Sequence, residues 1–282
     1  IISPCSVHHG FMVLDKPNKK YEVLRVDAVF PVLHGKNGED GTMQGLLRLS
    51  GIPFVGCDTY SSAMCMDKVS AKILCERENI PTVPFICARN TPELDINALV
   101  CQTEESFPYP VFVKPANAGS SVGITKAEDR ASLIIGIKTA FENDEKILIE
   151  KAVRGIEIEV AVLGNNNPVV SACGEINPNA DYYDYNTKYL SDTAEYFIPA
   201  RIDEAQSNKI RNTALKIYKT LDCKGMARVD FFACEDGGFY FNEINTIPGF
   251  TPISMYPRLI RHLGYSYSEL IGKLIALALG EE

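Results

Sequence analysis

Four polar side chains near the end of the chain have the types and spacing of a divalent-cation site. The segments GMARVDFFAC and GFYFNEIN flank EDGG, which predicts a β-hairpin. Counting back from an Asp-Gly turn at 236–237 puts four side chains on one face in two opposed pairs, Asp230 with Glu243 and Arg228 with Asn245. Carboxylate and amide oxygens favour Mg²⁺ or Mn²⁺, and Mg²⁺ carries nucleotide phosphates. The alternatives are a solvated acidic face, or a one-residue slip that scatters the set over both faces.

A glycine- and serine-rich loop is the second chemical feature. ANAGSSVGI follows the apolar strand VFVKP at 111–115, and its backbone amides and hydroxyls can close over an anion. It is not a Walker A loop, because the lysine precedes the glycines. Lys114 ends an apolar strand and must reach solvent or a counter-charge. Lys72, on a preceding helix, is by itself best interpreted as a solvated charge.

Alternating apolar segments and helical periodicities supply the elements that position these groups. VDAVFPVL at 26–33 predicts a strand, and GLLRLSGIPFVG predicts a helix, a turn and another strand. Asp67 caps the helical stretch DKVSAKILCERENI. Further helices are predicted over about 129–143, about 204–221 and YSELIGKLIALAL, with strands in KILIEKAV and IEIEVAVLG. The polar, tyrosine-rich segment ADYYDYNTKYLSDTAEYF is typical of a lid or a disordered loop.

Composition bounds the class of protein. The 282 residues are 46% hydrophobic and 23% charged, which is ordinary for a globular chain of two or three lobes. A formal net charge of −8 argues against a nucleic-acid surface. No apolar run approaches the ~20 residues of a membrane span, and the first residues lack signal-peptide features. Nine scattered cysteines fit buried free thiols, so we expect a cytoplasmic protein with no membrane partner.

Seven motifs in a fixed order resemble the D-alanine:D-alanine ligases of the ATP-grasp superfamily. They run from about Val29 to the end and read HGKNGEDGT, MDKVSAK, VFVKPANAGSSVGI, EKAVRGIE, YDYNTKYLSD, MARVDFF and FNEINTIPGFTPISMYP. The resemblance implies an α/β ATP-grasp fold with an N-terminal Rossmann-like (pre-ATP-grasp) domain over 1–66. It also implies a central small α+β lobe over 67–152 and a C-terminal α/β lobe over 153–282 with the magnesium site and the lid loop.

The resemblance assigns nucleotide and metal contacts residue by residue. The phosphates of ATP would be held by Lys72, Lys114 and Lys188, under the loop that carries Ser120 and Ser121. Adenine would meet Glu150, Lys151 and Val153, and the ribose would meet Glu157. Asp230, Glu243 and Asn245 would hold Mg²⁺ or Mn²⁺, which agrees with the pairs counted from the hairpin.

The implied reaction joins two D-alanines to D-alanyl-D-alanine for peptidoglycan synthesis, through an acyl phosphate. Arg228 and the Gly249 amide would hold the tetrahedral oxyanion, and Ser120 and Tyr189 would belong to a hydrogen-bonded set near the second amino acid. Ser254 and Met255 would lie beside that amino acid, with Ser254 at its carboxylate. His34 is either near the first substrate or a structural histidine. A homodimer is a further expectation from the family.

Two departures from the family pattern qualify the resemblance. No strand and glycine-rich turn carrying a glutamate precede His34, so we expect an incomplete N-terminal domain and assign no catalytic residue there. NTKYLSD and SMYP resemble housekeeping ligases more than resistance enzymes that use D-lactate or D-serine. The alternatives are a D-alanine:D-serine ligase, another ATP-grasp carboxylate-amine ligase, and a regulatory nucleotide-binding module without catalysis.

Overall fold

The computed structural model describes residues 7, 9–15, 17–18, 20–119, 121–177 and 195–281. In chain order its first elements are β1 (Gly10–Asp15), β2 (Lys20–Arg25), α1 (Thr42–Leu49), α2 (Thr59–Met66), α3 (Lys68–Arg77), β3 (Phe85–Arg89), α4 (Ile96–Ser106), β4 (Val111–Pro115), β5 (Thr125–Ala127), α5 (Arg130–Asn143) and β6 (Lys146–Lys151). They are followed by β7 (Ile156–Leu163), β8 (Val169–Val170), β9 (Gly174–Asn177), β10 (Glu195–Phe197), α6 (Glu204–Thr220), β11 (Met226–Ala233), β12 (Phe239–Asn245), α7 (Met255–His262) and α8 (Tyr267–Ala278). The helices predicted over about 129–143 and 204–221 are α5 and α6.

A four-stranded antiparallel sheet forms the middle of the chain. Its order is β3-β6-β4-β5, and α4 and α5 cover its apolar face. Leu133 and Ile137 of α5 pack against Val111, Val113 and the other buried side chains of this layer. The opposite face therefore stays available to a second lobe.

A six-stranded sheet lies between two helical layers in the rest of the chain. Its order is β10-β9-β7-β11-β12, with β8 paired to β7. Helices α2, α3 and α6 pack on one face, and α7 and α8 pack on the other. Beyond α7 and α8, the second face continues as charged side chains, among them Glu159, Arg228 and Asp230. The polar end of this buried face is where a site can form.

The hairpin of β11 and β12 has the predicted functional pairs but not the predicted turn. Asp230 pairs with Glu243 and Arg228 with Asn245, as the sequence predicts. The two-residue turn is wrong, because Cys234 and Gly238 are hydrogen-bonded around a three-residue loop at 235–237, with Gly237 at φ +80°. A β-bulge at Asn242 restores the register one residue later. The two one-residue deviations cancel, so the charged cluster stays on one face.

The N-terminal elements differ most from the sequence prediction. The strands expected within 26–33 and 45–56 reduce to one parallel bridge between Val29 and Phe54. The antiparallel hairpin of β1 and β2 was not predicted. Parallel strand pairing is slightly weaker per residue than antiparallel pairing and usually needs a sheet that is covered on both faces. An apolar run alone therefore predicts more strand than forms here.

None of the helices among the described residues is long and apolar enough to cross a membrane.

Candidate active site

A cleft of about 440 Å³ lies between the four-stranded and the six-stranded sheets, and we call it the inter-sheet cleft. Apolar side chains such as Phe112 and Phe232 line it together with charged ones. Six of the predicted nucleotide residues line it: Lys114, Ser121, Glu150, Lys151, Val153 and Glu157. Its size and mixed lining suit a planar base joined to an anionic chain.

Glu150 lies between two lysines at the bottom of the inter-sheet cleft. Its carboxylate oxygens are 2.8 Å from Lys72 Nζ and 2.5 Å from Lys114 Nζ. Burial alone would raise the pKa of Glu150, but the two ammonium groups outweigh it and hold that pKa below its usual value. Lys72 is fully buried and does not line the cleft, so its reading as a solvated charge is wrong.

Replacing Glu150 with glutamine is expected to lower the free energy of unfolding by about 3–5 kcal/mol at pH 7, because two buried ammonium groups lose their counter-charge. A carboxyl whose pKa is lowered on folding stabilises the protein above its unfolded pKa and loses that contribution as pH falls through its folded pKa. The difference between wild type and variant should therefore shrink as pH falls below the ordinary pKa of glutamate, about 4.3. Chemical denaturation followed by circular dichroism at pH 8 to 3 measures this.

Glu145→Gln is the matched control, since Glu145 is 80% exposed and pairs with Arg89 on the surface. It should change the free energy of unfolding little at any pH. Equal losses in the two variants would contradict the buried triad.

A second, smaller cavity of about 140 Å³ adjoins the first, and we call it the loop pocket. It is bounded by the His-Gly loop, the strands β7 and β11, the end of β12 and the start of α7. All five predicted substrate residues line it: His34, Arg228, Gly249, Ser254 and Met255. Glu243 and Ile176 line both cavities, so a group leaving the inter-sheet cleft reaches the loop pocket at Glu243.

Arg228 is held rigidly in the wall of the loop pocket. Its guanidinium donates to both oxygens of Asp230, from Nε at 2.8 Å and from Nη2 at 2.7 Å. Glu159 Oε2 lies 3.1 Å from the same Nε. Burial opposes the charge of Arg228, but these carboxylates raise its pKa well above the usual value. The fixed cation suits an anion that develops in the pocket.

The start of α7 offers a second place for an anion. Ser254 precedes the helix but makes no capping bond to it, and its hydroxyl lies 2.8 Å from that of Thr251. A Cβ at Gly249 would lie 2.9 Å from Ser254 Oγ, so a larger residue there would displace the Ser254 hydroxyl. Amides at a helix start attract carboxylates, which fits the position predicted for Ser254.

His34 and Glu39 join the His-Gly loop to the end of β12. His34 Nδ1 lies 3.0 Å from the Ile247 carbonyl, so the histidine has a structural partner as well as a place in the pocket wall. Glu39 accepts hydrogen bonds from Gly35 N–H at 2.5 Å and Ile247 N–H at 3.3 Å. Burial raises the pKa of Glu39, although these N–H groups act against it.

Sequence reasoning missed two carboxylates that line the loop pocket, the half-buried Glu39 and the buried Glu159. The motif HGKNGEDGT contains the first, and the alternation of IEIEVAVLG places the second on the same face as Glu157. The sequence contains both patterns, but neither pattern shows which carboxylate is removed from solvent in the folded protein.

The predicted metal ligands fit a hard cation by chemistry, though unequally by position. Glu243 and Asn245 line the loop pocket, whereas Asp230 is 1% exposed and its Oδ2 accepts from Asn245 Nδ2 at 2.9 Å. Within the described residues no three His, Cys, Asp or Glu side chains form a metal cluster. The set of two carboxylates and one amide supplies only oxygen donors, which is the preference of Mg²⁺ and Mn²⁺. Ser120, Lys188 and Tyr189 lie outside the described residues.

Two β-lobes that enclose a nucleotide-sized cleft, with a smaller acidic and cationic pocket at its end, define a protein of the ATP-grasp class. Family models described as the N-terminus and the C-terminus of D-ala D-ala ligase match residues 6–57 and 74–276. The chain belongs to the D-alanine:D-alanine ligase family, and the resemblance seen in the motifs is confirmed.

Similar proteins agree with this family and fold. A D-alanine–D-alanine ligase of Caldicellulosiruptor bescii is 54% identical over 256 residues, which cover 90% of this chain and 70% of that protein. The VanG D-Ala:D-Ser ligase of Enterococcus faecalis has a TM-score of 0.87 and 41% identity, covering 99% of this chain and 78% of its own. The Coxiella burnetii D-alanine-D-alanine ligase has a TM-score of 0.83 and 34% identity, covering 96% and 73%.

Proposed function

We propose that the chain joins two D-alanines into D-alanyl-D-alanine, with cleavage of ATP to ADP and phosphate, for peptidoglycan precursors. The observation that carries this most directly is that Glu243 lines both cavities. A phosphoryl donor in the inter-sheet cleft and a carboxylate acceptor in the loop pocket would meet at that residue.

The first step forms an acyl phosphate. A carboxylate oxygen of the first D-alanine bonds to the γ-phosphorus as the bond from that phosphorus to the β-γ bridging oxygen breaks, and ADP leaves with that electron pair. Lys114 lies in the cleft wall, where its charge can offset that of the phosphates. Lys72 lies behind Glu150 and, in the described arrangement, supports the site from below.

The second step forms the peptide bond. The amine nitrogen of the second D-alanine attacks the acyl carbon, the carbonyl becomes a tetrahedral oxyanion, and phosphate leaves as the C–O bond breaks and the amine loses a proton. Arg228 and the amide of Gly249 are the candidate donors to that oxyanion. Ser254 and the start of α7 would hold the carboxylate of the attacking amino acid.

Mg²⁺ or Mn²⁺ would be held by Glu243 and Asn245, with Asp230 behind them, and when bound it would offset charge on the phosphates. The carboxylate and amide oxygens support this part of the proposal. The predicted division at about residue 152 is supported by the sheets, because β6 ends at Lys151 and β7 begins at Ile156. A cytoplasmic homodimer stays a prediction from the family.

Amino-acid-dependent ADP release in the presence of Mg²⁺ tests the proposal. D-Alanine should stimulate release strongly and L-alanine should not, and mass spectrometry should find one dipeptide per ADP. ATP binding without any amino-acid-dependent release would instead support a regulatory nucleotide-binding module. Release that ignores D-alanine but responds to another carboxylate and amine would support a different ATP-grasp ligase.

D-Alanine:D-serine ligation is the second candidate, favoured by the likeness to VanG. Met255 at the loop pocket and the SMYP sequence favour an apolar side chain at the second substrate. An assay with equal D-alanine and D-serine should therefore give mainly D-alanyl-D-alanine. Mainly mixed dipeptide would reverse the order of the two candidates.

A further inference from the structure

Lys68 joins two parts of the candidate site that belong to different sheets. It is the first residue of α3, and its side chain is 9% exposed. Its ammonium donates to the Ala118 carbonyl at 2.8 Å and lies 3.2 Å from Glu243 Oε2. Its backbone N–H donates to the Ala116 carbonyl at 3.1 Å. One residue thus holds the stem of the glycine-serine loop, residues 116–119, and contacts β12.

The position of Lys68 is unfavourable for a lysine unless its contacts compensate. A helix N-terminus carries partial positive charge, so a cation in the first turn is electrostatically disfavoured. Fixing a lysine side chain also costs conformational entropy, and burying its charge costs hydration. Helix propensity therefore does not explain a lysine at this position. Its contacts with the Glu243 carboxylate and the Ala118 carbonyl do explain it.

The surroundings place Lys68 at the junction of three segments. A small cavity beside the loop pocket is lined by Glu39, Lys68, Gly119, Glu243 and other residues. A Cβ on Gly119 would lie 3.6 Å from Gly35 Cα, so the loop stem also touches the His-Gly loop. Asn117 fixes the stem from the other side through Asp144, with its N–H at 2.6 Å from Asp144 Oδ2.

Other cations of the candidate site make ion pairs with carboxylates other than Glu243. Lys72 and Lys114 contact Glu150, and Arg228 contacts Asp230 and Glu159. The ion pair of Lys68 is made with Glu243, the predicted metal ligand that lines both cavities. A divalent cation that binds Glu243 would therefore compete with the Lys68 ammonium for the same carboxylate oxygen.

We propose that Lys68 is a positioning residue that ties residues 116–119 to Glu243 and neutralises this carboxylate until a divalent cation takes its oxygen. The proposal rests on the proposed function for the meaning of the metal and of the phosphate loop. It adds a coupling, since cation binding at Glu243 loosens the hold on the loop stem. The loop can then adjust to the nucleotide phosphates that arrive with the cation.

Lys68→Met and Lys68→Arg test this, with Lys126→Met as the matched control. Lys126 lies on β5 at the far end of the same loop and pairs with Glu128 on the surface. Mn²⁺ binding to the nucleotide-free chain, followed by electron paramagnetic resonance, should tighten about tenfold in Lys68→Met because the competing charge is gone. Lys68→Arg and the control should bind Mn²⁺ as the wild type does.

Two further measurements separate positioning from simple packing. Hydrogen exchange of the amides at 116–119 should speed up in Lys68→Met but not in Lys126→Met. In the ligase assay, kcat should fall about 10–100-fold with KM for D-alanine nearly unchanged, and Lys68→Arg should restore part of the loss. Unchanged Mn²⁺ affinity together with unchanged exchange would overturn the proposal.

If Lys68→Met does not fold, Glu243→Gln supplies the exchange test. It removes the charge that anchors the ammonium, so exchange at 116–119 should rise, and unchanged exchange would overturn the proposal. The two hypotheses fail separately. If the wild type shows no D-alanine-dependent ADP release, the proposed function is refuted, even if Lys68→Met tightens Mn²⁺ binding. If the wild type is active but Lys68→Met changes neither Mn²⁺ affinity nor hydrogen exchange, only the role of Lys68 is refuted.

Discussion

Glu243→Gln is expected to reduce turnover about 1000-fold at saturating ATP, Mg²⁺ and D-alanine, the loss typical of removing a group that offsets transition-state charge. Glu243 lines both cavities, and it is the predicted metal ligand that reaches the cleft from the β-bulge side of the hairpin. The amide keeps the shape of the side chain, and Glu243 is 25% exposed, so the loss of its ion pair with Lys68 should cost less stability than Glu150→Gln does. Steady-state ADP release and the thermal unfolding midpoint measure the two effects.

Glu235→Gln provides the control for this variant. It makes the same chemical change in the same hairpin, at an exposed loop residue that lines neither cavity of the candidate site. Its kcat should match that of the wild type. If Glu243→Gln retained near-normal turnover, the metal assignment would be refuted, and with it the meeting point of the two cavities.

The hairpin shows what short-range pattern can and cannot predict. Alternation along β11 and β12 places Arg228, Asp230, Glu243 and Asn245 on one face, because successive side chains on a strand point to opposite sides. The loop type and the bulge at Asn242 depend on backbone geometry that the residues EDGG leave open. The predicted cluster is observed because the longer loop and the bulge each shift the register by one residue in opposite directions. Counting residues along the sequence cannot predict that cancellation.

The sequence did not predict which charged side chains are buried. The spacing of Lys72 in the sequence is that of a lysine on a helix surface. In the structure, α3 places it below the cleft in contact with Glu150. Glu159 lies two residues from Glu157, but only pairing with β11 brings it to Arg228. Which carboxylate meets which cation is set by contacts between distant segments, whereas periodicity reports only the face on which a residue lies.

The N-terminal region was poorly predicted for a different reason. An apolar run such as VDAVFPVL specifies a segment that tends to be buried, and its pairing partner decides whether it becomes a strand. Here the described pairing is the single bridge of Val29 and Phe54. Helices α5 and α6 were predicted to within a residue because their caps and their 3.6-residue period are local signals.

Arg228→Lys is expected to lower kcat about 100–1000-fold while KM for D-alanine changes much less. Lysine keeps the positive charge between Asp230 and Glu159 but cannot reproduce the planar fork that now binds both oxygens of Asp230. The remaining ammonium is drawn toward the buried carboxylates and away from the position where the oxyanion forms. Initial rates over a range of D-alanine concentrations separate the two constants.

Arg228→Met and Arg211→Lys complete the test of Arg228. The methionine variant leaves Asp230 and Glu159 buried without their cation, which should lower the free energy of unfolding by about 3–5 kcal/mol, a loss that Arg228→Lys should largely avoid. Arg211→Lys removes guanidinium bonds to the Ser171 and Val170 carbonyls outside both cavities, so its kcat should stay normal. If Arg228→Lys were as unstable as Arg228→Met, lost activity would report unfolding. If it were stable and active, Arg228 would hold the sheet together and not the oxyanion.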